Sequence, residues 1–132
     1  MKSLKTKYAL ILDGYDVVIN SFKDIISKFE SFNAGVVFNA SKNNYPFVLW
    51  DRSKACSNSK FRYLNAGCCI GYTDKLIEFY EKVFKEYQNR PTNRWNSEQL
   101  IVRRAYKPYK DYSDDYNLIK LDTKCDIFQT FG

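Results

Sequence analysis

A chain of 132 residues, 45% hydrophobic and 27% charged, is long enough for one domain with one core and too apolar for a disordered segment. The net charge of +6 comes from 21 basic against 15 acidic residues spread along the chain, which suits an anionic ligand such as a sugar nucleotide or weak nucleic-acid contact, with a solvated surface of Lys and Arg as the default reading. There is no histidine, so no Ser-His or Cys-His nucleophile pair can form within the chain, and a metal site must use carboxylates, carbonyls or thiolates.

The amino terminus is basic, but the apolar segment after it is too short for a signal-peptide core and runs directly into Asp13. No export signal is read, and the cytoplasm is the expected compartment. No apolar run reaches the length of a membrane span. Tyr8–Leu12 reads as a first strand, with Leu10 to Leu12 fully buried. Asp13 and Asp16 follow at its carboxyl end, where ligands bind in open α/β sheets. Two carboxylates three residues apart suit a hard divalent cation with a bound phosphate. Asp13-Gly14 is equally a turn signal, and this stretch alone supports a turn and a metal site equally.

A helix is expected from Ser21 to Phe32, capped by Ser21, with Phe22, Ile25, Ile26 and Phe29 as its apolar positions. Residues 35–40 read as a second buried strand, and Ser41 to Lys60 as a long irregular loop. A third strand is expected from Ala66 to Tyr72, opened by Asn65-Ala66-Gly67. A strongly amphipathic helix follows over about Asp74 to Gln88, capped by Thr73, with Leu76, Ile77, Tyr80, Val83, Phe84 and Tyr87 inward. A shorter helix begins near Asn96, which stands at capping-box spacing from Gln99. Residues 118–121 and 126–129 read as two short terminal strands. Alternating strands and helices indicate an α/β layer fold.

The four cysteines match no zinc spacing. Cys68 and Cys69 read as reduced core residues, and a Cys56–Cys125 bridge is disfavoured by a cytosolic setting. Aromatics are abundant, and Tyr106-Lys107-Pro108-Tyr109-Lys110 interleaves them with charge. Core padding is the default reading of such tyrosines, with sugar or base stacking as the alternatives. No nucleic-acid motif is present, so that function ranks last.

Several blocks, taken together and in order, resemble one family. They are Leu10-Ile11-Leu12-Asp13-Gly14-Tyr15-Asp16-Val17-Val18, Val36-Val37-Phe38-Asn39-Ala40-Ser41, Asn44-Tyr45-Pro46, and Phe61 to Tyr72 with its Tyr63-Leu64-Asn65-Ala66-Gly67 core. Glu98-Gln99-Leu100 and Leu121-Asp122-Thr123-Lys124-Cys125-Asp126-Ile127-Phe128-Gln129 complete the set. The chain resembles the glycosyltransferase domain of procollagen lysyl hydroxylases and its viral and bacterial relatives.

The resemblance implies an α/β fold of GT-A-like (Rossmann-like) type, a mixed sheet flanked by helices, as a single partial domain over 1–132 truncated at both ends. It implies a sugar transferred from a UDP-sugar donor to a hydroxyl acceptor, hydroxylysine in a collagen-like chain or a glycan, with Mn²⁺ as cofactor. By resemblance Asp13 and Asp16 bind the metal, and Tyr15 contacts the nucleoside. Asn65, Ala66, Gly67 and Gln99 line the donor or acceptor side, and Glu98 is the acceptor-side acid–base residue. Glu98 has a second reading, as a favourable carboxylate in a helix's first turn. The chain departs from the family pattern in three places. Asn96-Ser97-Glu98 replaces consecutive aspartates, Tyr45 replaces a tryptophan, and no histidine completes the metal site. The alternative function is a non-catalytic domain of this type that binds a glycan or partner, self-associates, or pairs with a complementary fragment.

Overall fold

The structure, a computed structural model, describes residues 5–14, 16–43, 59–89, 101–102 and 119–130. Among them four strands and two helices succeed one another as β1 (Tyr8–Leu12), α1 (Ile25–Ser31), β2 (Val36–Ser41), β3 (Tyr63–Tyr72), α2 (Thr73–Gln88) and β4 (Ile119–Asp122). The strands form one mixed sheet in the order β1-β3-β2-β4. β3 runs antiparallel to both β1 and β2, and β4 is parallel to β2. The carboxyl ends of β1, β2 and β4 therefore share one edge with the amino end of β3. This is the expected α/β mixed sheet with helices, consistent with a GT-A-like fragment.

The strands alternate apolar side chains between two faces. Val36, Phe38, Ala40, Ile119 and Leu121 pack on one face with Leu76 and Phe79 of α2. Val37, Ile70 and Cys68 pack on the other with Phe29 of α1 and with Phe128. The two helices thus cover opposite faces, and each buried phenylalanine contributes about 1.5–3 kcal/mol. Within β3 the phase switches. Leu64 and Ala66 face α2, whereas Cys68 and Ile70 face α1. The cause is a register shift, because Phe38 pairs with Cys69 while Asn39 pairs with Asn65. Residues 66–68 are extra on β3 and have no partner on β2, which makes a β-bulge.

Several expectations need correction. β1 is an edge strand among the described residues, and all five of its side chains are half-buried rather than fully buried. α1 starts at Ile25, and its N-cap is Asp24 in the left-handed region, with no side-chain cap. Ser21 instead accepts the N–H of Lys23 at 2.9 Å, a local turn that competes with helix. Phe22, ahead of the helix, and Ile26, within it, are both exposed.

β3 begins three residues earlier than expected, because Asn65 is already paired with Asn39 and Ala66-Gly67 belong to the bulge inside the strand. α2 starts at Thr73 with Tyr72 as its cap, and the Thr73 hydroxyl is buried with no hydrogen-bond partner among the described residues. Its inward face is Leu76, Phe79, Tyr80 and Val83, so Phe84 and Tyr87 project into solvent. Residues 126–129 form no strand. The N–H groups of Asp126, Ile127 and Phe128 donate to the Asp122 carboxylate at 2.9, 2.7 and 2.7 Å, and not to a ladder. Cys68 and Cys69 are buried as expected, and no disulfide joins Cys68, Cys69 and Cys125. Cys56, most of the 41–60 loop and the start of the helix near Asn96 lie outside the described residues.

α1 is tied to β1 by the Tyr8 hydroxyl, which donates to the Glu30 carboxylate. That bond pushes the Tyr8 phenol above its ordinary value of 10.0, with the neighbouring Lys7 opposing. A raised acid pKa means that the folded state holds the proton more tightly. The bond's stabilisation is complete below pH 10 and is lost as pH rises through the folded-state value. Thermal midpoints followed upward from pH 9 are therefore expected to fall more steeply in the native protein than in Tyr8→Phe. Parallel curves would refute the link.

Candidate functional site

Asp13 leaves the end of β1 directly beside the bulge. Its N–H donates to the Gly67 carbonyl at 2.8 Å, extending the β1–β3 ladder by one step. The Gly67 N–H donates in turn to Asn65 Oδ1 at 2.9 Å, a local side-chain bond that holds the bulge. A Cβ on Gly67 would lie 2.8 Å from Asp13 Oδ2 and 3.0 Å from Asn65 Oδ1. The Asp13 carboxylate thus occupies the space that a side chain at 67 would fill. Both Asp13 and Asp16 are exposed, and neither has a Lys or Arg ion-pair partner among the described residues. Val17 turns back into the core beneath α1, which anchors the loop just after Asp16.

The charge of this loop reaches into the sheet. Burial pushes the Cys68 thiol up, the Asp13 N–H opposes, and the negative charges of Asp13 and Asp16 both push it further up. Such a pair offers exposed hard oxygen donors, the chemistry that Mg²⁺ or Mn²⁺ takes. No third His, Cys, Asp or Glu joins them among the described residues. The donor type is the one a hard divalent cation takes, and the space at Gly67 is filled by the Asp13 carboxylate itself.

The family model described as the PLOD GT domain matches residues 1–132. The chain belongs to the PLOD GT domain family. Procollagen-lysine,2-oxoglutarate 5-dioxygenase 1 of Mus musculus is 30% identical over 122 residues, which is 91% of this chain and 15% of that protein. The protein of the same name from Rattus norvegicus is 31% identical over 137 aligned positions, 97% of this chain and 17% of that protein. The chain thus spans less than a fifth of the length of these relatives.

Within this PLOD GT domain the fold brings Asp13, Asn65 and Gly67 into one contact set. The Ala66 methyl instead packs in the core on the α2 face. Tyr15, Glu98 and Gln99 lie outside the described residues. Sequence reasoning missed Asp122. Asp122 is fully buried at the end of β4, and its carboxylate shapes the following turn. Thr130, beyond that turn, donates to the Ala40 carbonyl at 3.0 Å and to Asn39 Oδ1 at 3.2 Å. The turn is thereby stitched to the end of β2, on the same sheet edge as Asp13. The available signal was an acidic residue closing an apolar run, the same pattern that drew attention to Asp13.

Proposed function

We propose that this domain is a glycosyltransferase that moves a sugar from a UDP-sugar donor to a hydroxyl acceptor. The observation that carries the reading is the seating of Asp13 against the Gly67 bulge, with Asp16 on the same loop, in a chain of the PLOD GT domain family. In this reading Asp13 and Asp16 hold Mn²⁺, which stabilises the negative charge developing on the departing diphosphate. Asn65 fixes the bulge that supports Asp13. Tyr15 contacts the nucleoside, Gln99 lines the site, and Glu98 takes the acceptor hydroxyl's proton.

A second reading is a domain of this family that binds without turnover. It is favoured by the two-carboxylate donor set among the described residues.

Thermal unfolding with Mn²⁺ and UDP, alone and together, tests the first reading. At about 100 times the dissociation constant the pair should add about 2.7 kcal/mol, a rise of several degrees. The rise should require both ligands and vanish in Asp13→Asn and Asp16→Asn. Incubation with UDP-sugars then separates the readings, since released UDP marks turnover and binding alone does not. No shift with any ligand combination would reject the donor site.

A further inference from the structure

The geometry points to Gly67 as a positioning residue: the side chain missing at 67 is the seat of the Asp13 carboxylate, and through it sets the affinity of the Asp13/Asp16 pair for a divalent cation. This rests on the proposed metal role of that pair. Gly14, Gly67 and Gly71 have three different surroundings. A Cβ on Gly14 would meet nothing within 4 Å. On Gly71 it would meet the Gly35 carbonyl oxygen, which is backbone. On Gly67 its three nearest neighbours all belong to the Asp13 and Asn65 side chains.

Backbone conformation does not demand a glycine at 67, because its φ lies outside the left-handed region. A glycine inside a strand is instead unfavourable, by about 0.5–1 kcal/mol relative to alanine. What the glycine provides is room for Asp13 Oδ2, 2.8 Å from where the Cβ would stand. The main chain cannot yield that room, because the Asp13 N–H is bonded to the Gly67 carbonyl and the Gly67 N–H to Asn65. Rotation of the Asp13 side chain relieves the closer clash, and Asn65 Oδ1, at 3.0 Å, has to give by a few tenths of an ångström. An alanine at 67 therefore moves the carboxylate and leaves the sheet standing, so its effect falls on ligand affinity and not on folding.

The test compares the native protein, Gly67→Ala and Gly14→Ala. Mn²⁺ binding is followed through the free-ion electron paramagnetic resonance signal. The Asp13 side-chain rotamer is followed in metal-free protein through its Hα–Hβ couplings. Gly67→Ala is expected to change the couplings and to weaken Mn²⁺ binding by about tenfold or more, at an undiminished thermal midpoint. Gly14→Ala should match the native protein in both. Native-like couplings or native-like Mn²⁺ affinity in Gly67→Ala would overturn the inference. If the native protein takes up no Mn²⁺, the metal role of the pair fails, and the couplings alone decide whether Gly67 seats Asp13.

Discussion

Asp122→Ala is expected to cost about 4 kcal/mol of folding stability. The Asp122 side chain is fully buried, and its two oxygens accept three backbone N–H groups from residues 126–128. Bonds to a charged acceptor are the strong ones, and removing the acceptor takes the partner from three donors, of which the Phe128 N–H is buried. Domains of this size have roughly 5–15 kcal/mol in total, so the variant approaches the limit of folding. Urea unfolding checks this. The midpoint should fall with an unchanged slope, and Asp122→Asn should lose about half as much, since it keeps one carbonyl oxygen. A loss under about 1 kcal/mol would mean that water replaces the carboxylate. The damage should extend to the end of β2, because Thr130 reaches Asn39 and Ala40 from the same turn.

Gly71→Ala is expected to cost about 3 kcal/mol, at the upper end of the range for overpacking. Gly71 pairs with Ala9 on one side and with Val36 on the other. An added Cβ would stand 2.7 Å from the Gly35 oxygen, 3.0 Å from Val36 Cγ2 and 3.1 Å from Leu76 Cγ. The Gly35 oxygen is fixed, since it accepts the Tyr72 N–H at 2.9 Å. β2 and α2 would both have to move away from β3. The thermal midpoint should drop by about 10 °C, against no change for Gly14→Ala. A drop of only a degree or two would show that the start of β2 yields easily.

The bounds of β1 were readable in the sequence because Tyr8–Leu12 is an apolar run closed by Asp13. α2 was readable from its period. Its inward face was less so, since an aromatic at every third or fourth position leaves the phase undecided between Phe79 and Phe84. The left-handed Asp24 was not readable, and it moved the start of α1 past Ser21 and Phe22. The Asn65-Ala66-Gly67 triplet looked like strand punctuation. A three-residue bulge carries the same residue types, and only the pairing with Asn39 tells the two apart. For the site, Asp13 and Asp16 stood out as carboxylates at a strand end. The contact of Asp13 with Gly67 joins residues far apart in the chain, which no local pattern encodes. Asp122 was hidden for the same reason, since its role lies in three backbone donors that are not read from side chains.

No tight-turn hairpin joins the described strands: the ladder closest in sequence, β2 to β3, starts from Ser41 paired with Tyr63. Tyr8 pairs with Tyr72, and Val36 pairs with Gly71 and Ile119. As the chain emerges during synthesis, β1 and β2 find no partner among these strands until β3 has been made. β2 then keeps one side open until Ile119–Asp122 arrives. Loop closure must precede every ladder, so folding should be slow for a domain of this length. Through that interval two apolar strands stay unpaired, and the nascent chain is most exposed to aggregation before Tyr72 is added.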